Sequence, residues 1–510
     1  LTSSRRLPRQ DTIFVENDAF GSKTIGYWGG YVLLINNITG PGLAILPLAF
    51  QASGWIITCV LVFTFGIISM ITCKMLIEAM TCVPGNSRFQ GRVEFTYLVK
   101  KFLSKKTFYI VFFLFLLSLV TTNISSIVES GQVIDRAMLA MGRACALEVY
   151  PDFKFLCLTN EADGDSSDSI FGTKWVISAG YLVILVISIP LGYMNLDDNI
   201  IVQVVSFIGL ISILTIWYIF FANEGFHPGL CPSIGSSSVA FGYVFFNYSF
   251  VITIPSWINE KKPRVPIDKS VNETTAIGIV LFLLTGILGA LAKKYEDGID
   301  LLSVLTSPGV THYARFATFT FPLFALVTSI PVFSIIMRYN LLENKICSTP
   351  MANFWSVLMP WVLALFVYGG ESINYILNWA GIVTVGPLNF LVPVWVYIVA
   401  TQRTRTHISE NGEIDAKYAK LSTVVEETEE GNFNPVVSYT NSELSGGKEE
   451  IVRFPSDDLE TPLAPGYFPD RVLQKNSEGL GPQAPGRSNS KSPLSSMRSA
   501  LDEQKTQIRN

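Results

Sequence analysis

The stretch Leu33-Leu34-Ile35-Asn36-Asn37-Ile38-Thr39-Gly40-Pro41-Gly42-Leu43-Ala44-Ile45-Leu46-Pro47 decides how this chain is read. Apolar residues run up to Ile35, stop at Asn36-Asn37-Ile38-Thr39-Gly40-Pro41-Gly42 and resume at Leu43, so a segment from 26 to 50, long enough to span a membrane, is broken near its middle. Pro41 has no N–H, and glycines at 40 and 42 weaken the helix on either side. In hydrocarbon each unpaired backbone group costs on the order of several kcal/mol, so the break persists only where protein, water or ligand satisfies it. It therefore predicts a cavity, with the polar Asn36, Asn37 and Thr39 beside it.

Working outward, the chain has two unlike parts. Of 510 residues 49% are hydrophobic and 15% charged, and the mean hydropathy is +0.39. Residues 401–510 hold 13 of the 37 Lys/Arg and 17 of the 41 Asp/Glu, which leaves the first 400 residues neutral with 24 of each. So few charges, among recurring apolar runs of about 20 residues, exclude a water-soluble globular domain and point to an all-α integral membrane protein. Ten spans are expected, at about 26–50, 54–80, 107–134, 175–193, 199–222, 238–259, 272–292, 313–338, 352–369 and 373–400. The tail, with Glu426-Glu427-Thr428-Glu429-Glu430 and Pro/Gly/Ser-rich stretches, is expected to be a disordered cytoplasmic segment able to bind cytoplasmic partners. The chain opens at Leu1 rather than Met, which suggests that residues precede it.

Orientation follows from the loops. With residues 1–25 in the cytoplasm, the inner segments carry 16 Lys and Arg, among them Lys23, Arg88, Arg92, Lys261 and Lys262, against about six outside. Both termini are then cytoplasmic. Cys145, Cys157 and Cys231 fall in outer loops, where two of the three can form a disulfide; which two the sequence leaves open. Either a plasma membrane or a vacuolar or lysosomal membrane permits that oxidation. No basic excess is present to hold nucleic acid, and the three histidines (His227, His312, His407) have no metal-ligand spacing. With no nucleophile–base constellation in the spans either, an enzyme, a metal site and an organic cofactor are not expected.

A second interruption falls five spans after the first, at Phe246-Asn247-Tyr248-Ser249-Phe250 with Pro255 beyond it. Ten spans divide as five plus five, and a break in the first span of each half is the pattern of an inverted-repeat transporter with its site at the midplane. A half-helix starting after Gly42 turns its positive end toward a carboxylate, while carbonyls released in span 6 can accept from an ammonium. The ligand expected is an amino acid, held by Thr39, Gly40, Gly42, Asn247, Tyr248 and Ser249. No charged residue in spans 1 or 6 is available to pair a charged side chain, so a neutral substrate is expected. Glu129, in span 3, is either a proton carrier or a carboxylate reaching headgroup water at the outer end of its span.

The run from Asn36 to Trp55, with Gly40-Pro41-Gly42-Leu43, Pro47 and Gly54-Trp55, resembles the first-span signature of the amino acid/auxin permease family. Pro255-Ser256-Trp257-Ile258-Asn259-Glu260-Lys261-Lys262-Pro263 resembles that family's exit from span 6, and Ser329-Ile330-Pro331-Val332 with Met337-Arg338 its span 8 pattern. The resemblance, over about residues 25–400, implies a LeuT-like bundle of the APC superfamily, two inverted five-helix repeats with helices 1 and 6 interrupted. It implies transport of amino acids by alternating access, coupled to Na⁺ or H⁺. In the sodium-coupled neutral amino acid branch, the positions of Asn36 and Ser329 contribute to the ion site, and Thr328 offers a further oxygen. Two departures stand out: most members have an eleventh span, and none is visible after residue 400, while Pro41 replaces a Ser or Thr. A sensor that binds an amino acid and signals through its tail is the alternative.

Overall fold

The computed structural model describes residues 20–424 and 436–441, except 151, 160–168, 173, 236, 297–298, 370–375 and 377. The chain falls into two units, Leu1–Asn411 and Gly412–Asn510. In the first, helices α1 (Tyr27–Ile38) and α2 (Gly42–Ser53) are followed by α3 (Trp55–Thr81), α4 (Phe95–Phe102) and α5 (Lys105–Ala140). Three strands, β1 (Ala144–Tyr150), β2 (Lys154–Leu158) and β3 (Trp175–Ser178), lead into α6 (Ala179–Tyr193) and α7 (Ile200–Glu224). Then come α8 (Ser237–Asn247), α9 (Ile254–Glu260), α10 (Ile267–Ala292), α11 (Leu301–Thr306), α12 (His312–Phe321), α13 (Ser329–Glu343), α14 (Thr349–Asn353), α15 (Met359–Ala364) and α16 (Val392–Tyr418).

Among the described residues eight helical stretches, some running through more than one of these helices, are long and apolar enough to cross a membrane, and the pair α1 and α2, bent by 46° at the break, makes a ninth. The protein is an integral, multi-pass membrane protein. The fourth expected span, 175–193, is a shorter helix: α6 has 15 residues, reaching about 23 Å of the ~30 Å needed. Its first four expected residues are drawn into β3, which pairs antiparallel with β1.

Apolar side chains face outward as well as inward. On α3, Val60 and Phe63 are exposed while Thr58, Ser69 and Thr72 are buried, the arrangement lipid surroundings favour over water. Regular α-helix gives way to π-helix at Pro322–Leu326, Phe354–Leu358, Gly381–Val385 and Pro387–Leu391. Two of these begin at prolines, which cannot donate to the preceding turn.

On β1 and β2 the register sets Cys145 opposite Cys157, and these two form the disulfide. Cys231, the third candidate, is a buried free thiol whose Sγ donates to the Phe50 carbonyl at 3.3 Å. It sits beside the end of α2, away from the sheet. Residues 401–418 continue α16, and in the second unit β4 (Ala419–Val424) pairs antiparallel with β5 (Val436–Asn441), both rich in β-branched residues. Residues 1–19, 425–435 and 442–510 lie outside the described residues.

Candidate functional site

At the break, α1 closes on Thr39, whose N–H and hydroxyl both donate to the Ile35 carbonyl at 2.9 and 3.0 Å. The chain then restarts through short turns, Leu43 N–H to Gly40 O (3.1 Å) and Ala44 N–H to Pro41 O (3.2 Å). Among the described residues no partner is found for the N–H groups of Gly40 and Gly42. They form the free, positive end of α2, inside the protein rather than at a surface.

Facing it is the end of α8. Asn247 Nδ2 donates to Tyr243 O at 2.8 Å and across to Gly42 O at 2.9 Å, which fixes the amide orientation. An added β-carbon at Gly42 would lie 2.8 Å from that amide, so only glycine lets the two helices approach this closely. Beyond Asn247, residues 248–250 form a turn and Val251–Thr253 a 3₁₀ turn before α9 restarts. The Ile252 N–H freed there donates to Asn389 Oδ1 at 3.2 Å. The gap between the two breaks is a cavity of about 10 Å³, the room of a single water, lined on these helices by Asn37, Gly40, Gly42, Asn247 and Ser249. Ile38 and Pro41 at the first break, Thr122 of α5, Phe246 and Phe333 of α13 complete it, and among the described residues that line it none is charged. The Oδ1 atoms of Asn37 and Asn247 are buried there with no hydrogen-bond partner.

Gly40, Gly42, Asn247 and Ser249 thus meet as expected from sequence. Two others do not: Thr39 caps α1, and Tyr248 turns outward to donate to Val62 O at 2.6 Å on α3. Thr39 is held out of the cavity by its bond back to Ile35 O, and Tyr248 by the turn at 248–250, which sends successive side chains in different directions. Asn36 and Thr328 are joined through a residue that sequence reading missed. Asn36 Nδ2 donates to Gln203 O (2.9 Å) and Oε1 (2.8 Å), and Gln203 Nε2 donates to Thr328 O at 2.9 Å. Thr328 Oγ1 also meets Ser206 Oγ at 2.8 Å. Ser329 lies on the other side of α13, 3.4 Å from Ser126 of α5. A lone buried Gln in an apolar span was the available signal for Gln203.

Residues 23–151 match the sequence model of a family described as transmembrane amino acid transporter protein, a stretch that contains the broken span and runs through α5. The match covers 129 of the 510 residues. No curated protein matches it.

Glu129 is buried and accepts from Ser125 Oγ at 2.9 Å. It lines a second small pocket with Gln132, Arg136, Asp300 and Ser303, under α11, and is not among the residues lining the cavity at the breaks. Asn123 bridges helices, donating to Ser334 Oγ at 3.1 Å.

Further polar contacts gather around the end of α9. Residues 20–25 pair with the end of α9, Ile25 N–H to Glu260 O (3.0 Å) and Lys262 N–H to Ile25 O (2.8 Å). Nearby, the buried Glu94 carboxylate accepts from Ser256 Oγ (2.6 Å), Asn259 Nδ2 (2.8 Å) and Asn340 Nδ2 (3.2 Å), tying the loop before α4 to α9 and α13. Burial pushes the Glu94 carboxyl up to about 7, against the opposing hydrogen bonds from Ser256 and Asn259. Because the folded value lies above the unfolded one, its contribution to stability is complete below about pH 4.5 and lost as pH rises through about 7. That swing is about 3 kcal/mol. Glu94→Gln is expected to flatten the pH dependence of thermal unfolding of the detergent-solubilised protein across this window. A slope equal to that of the wild type would show that another group titrates.

Proposed function

We propose that this transporter carries neutral amino acids by alternating access in a ten-span, LeuT-like bundle of two inverted repeats, with Na⁺ as the coupling ion and both termini cytoplasmic. The observation that carries this reading is the pairing of opposite unmet needs in one cavity. The N–H groups of Gly40 and Gly42 suit a carboxylate, and the unpartnered Oδ1 atoms of Asn37 and Asn247 suit an ammonium. The absence of charge from the lining favours a zwitterion with an uncharged side chain. Since the cavity now has room for about one water, substrate entry requires the helices around the breaks to part, as lids and bundles do in alternating access.

For the ion, neutral oxygens of Asn36 and Thr328 suit a hard cation, with Gln203 setting the distance between α1 and the start of α13, and Ser329, now turned toward Ser126, would have to rotate to join them. Glu129, which this reading does not use, would serve a proton-coupled transporter instead. The test is uptake of a panel of radiolabelled amino acids into proteoliposomes under an inward Na⁺ gradient or a pH gradient. Saturable, Na⁺-driven uptake of neutral amino acids is expected; uptake driven by pH alone overturns the ion, and no saturable uptake under either gradient overturns transport. In the same assay Gln203→Leu is expected to raise the Na⁺ concentration for half-maximal uptake about tenfold or more, the loss of one to two buried hydrogen bonds. An unchanged Na⁺ dependence would detach Gln203 from the ion.

A further inference from the structure

Helices α4 and α5 meet at a turn of two residues, Leu103 and Ser104. Ser104 caps α5, its hydroxyl accepting from the Thr107 N–H at 3.2 Å, so that Lys105 and Lys106 open that helix with their side chains exposed. The apolar residues of α4, Phe95, Leu98, Val99 and Phe102, turn into the protein, and Phe95 stacks on Phe115 of α5 with ring centroids 5.5 Å apart. Lys101, near the end of α4, is left exposed. Arg403 of α16 reaches the same place, its Nη1 donating to the Lys101 carbonyl at 3.1 Å. Exposed cations from three helices thus share one corner. Lys100 stands apart from them: it reaches back to the Asn344 carbonyl at 3.2 Å, where its charge acts on Glu343.

Below Lys105 and Lys106, the exposed side chains of α5 are apolar. Tyr109, Ile110, Phe113 and Leu117 follow the two lysines at intervals of three and four residues, so all of them lie on one face of the helix. From Lys105 to Leu117 is twelve rises of 1.5 Å, about 18 Å, close to the ~15 Å of hydrocarbon in one leaflet plus the start of the headgroup layer. The corner therefore sets positive charge at the end of an apolar stripe one leaflet deep. A molecule with a negative head and an apolar chain complements both parts at once. Each Lys or Arg at an anionic lipid surface is worth about fivefold in binding, a gain that a lipid without net charge does not receive.

We propose that this corner binds an anionic phospholipid of the adjoining leaflet, its headgroup on Lys101, Lys105, Lys106 and Arg403 and an acyl chain along Tyr109, Ile110, Phe113 and Leu117. The headgroup links the start of α5 to α16, two segments joined there by the Arg403 bond to Lys101. None of these residues lines the amino acid cavity, so the site stands or falls without reference to transport.

The experiment measures binding of dioctanoyl phosphatidylserine, dioctanoyl phosphatidylcholine and chain-free glycerophosphoserine to the purified full-length protein in detergent. Native mass spectrometry counts the bound molecules, and hydrogen exchange follows residues 101–107. Saturable binding of the phosphatidylserine about tenfold tighter than the phosphatidylcholine is expected, with slowed exchange over 101–107 and no binding of glycerophosphoserine at the same concentrations. The double variant Lys105→Gln/Lys106→Gln changes two exposed side chains and is expected to lose about tenfold or more of the phosphatidylserine affinity. Lys262→Gln/Arg264→Gln removes the same charge from exposed positions in the loop after α9 and is expected to keep that affinity. Equal affinity of the wild type for the two lipids, equal loss in the two double variants, or glycerophosphoserine binding as tight as that of the lipid overturns the proposal.

Discussion

Gly42→Val is expected to reduce amino acid uptake by about a hundredfold or more while the protein still reaches the membrane in normal amount. The physical reason is space. A β-carbon at position 42 would meet the carbon, nitrogen and oxygen of the Asn247 amide, each at 2.8 Å, and valine adds two methyl groups beyond it. Asn247 has no easy retreat, since its Nδ2 is engaged by both the Tyr243 and Gly42 carbonyls. The first turn of α2 must move instead, carrying with it the N–H groups proposed to hold the carboxylate. A displacement near 1 Å at such a site costs on the order of a hundredfold. Gly40→Ala is the control, because a β-carbon there meets nothing within 4 Å, and it is expected to keep most of its uptake. Measured as radiolabelled uptake normalised to surface protein, full activity of Gly42→Val would reject the close approach of the two breaks as the basis of the site. Equal loss in both variants would show that any side chain in the break is harmful and that contact with Asn247 is not the cause.

What the sequence could reveal follows from which interactions are local. The break at 39–41 was legible because Gly40, Pro41 and Gly42 act on their own backbone, whatever surrounds them. Span lengths were legible because hydrocarbon thickness is fixed, and the one shortfall, α6, arises where β3 is recruited by a strand almost thirty residues earlier. Side-chain direction was not legible. Tyr248 was read as facing the cavity with its neighbours Asn247 and Ser249, but the turn at 248–250 rotates its ring toward α3. Nor could sequence show that Asn36 reaches Thr328 through Gln203, or that Asn389 satisfies Ile252, for each joins residues more than a hundred positions apart. The disulfide lay between these cases: three outer cysteines were evident, and only the register of β1 on β2 selects Cys145 and Cys157.

Arg338→Met is expected to destabilise the protein by on the order of 4 kcal/mol, the largest stability effect of any single polar substitution argued for this chain. Arg338 leaves the middle of α13 and is buried, yet it has no carboxylate partner in hydrogen-bond reach among the described residues; its guanidinium addresses the exposed end of α6 instead. Nη1 donates to the Gly192 and Tyr193 carbonyls, both at 3.1 Å, and Nη2 donates to the Met194 carbonyl and to Asn195 Oδ1. Those carbonyls are the ones a helix C-terminus leaves without partners, and they carry its negative end, so one cation both satisfies and neutralises the end of α6. Methionine fills similar volume and removes the fork, leaving the Gly192, Tyr193 and Met194 carbonyls without their donor, at about 1–3 kcal/mol for each that water does not reach. Arg338→Lys is expected to recover only part of the loss, since a single ammonium cannot span four acceptors arranged along a helix end. The measurement is denaturant or thermal unfolding in detergent, with α6 followed by hydrogen exchange. Faster exchange confined to the end of α6, together with the lowered midpoint, is the expected signature. Wild-type stability in Arg338→Met, or a lysine variant as stable as arginine, would mean that α6 and α13 are held together by apolar packing alone and that the clamp contributes nothing measurable.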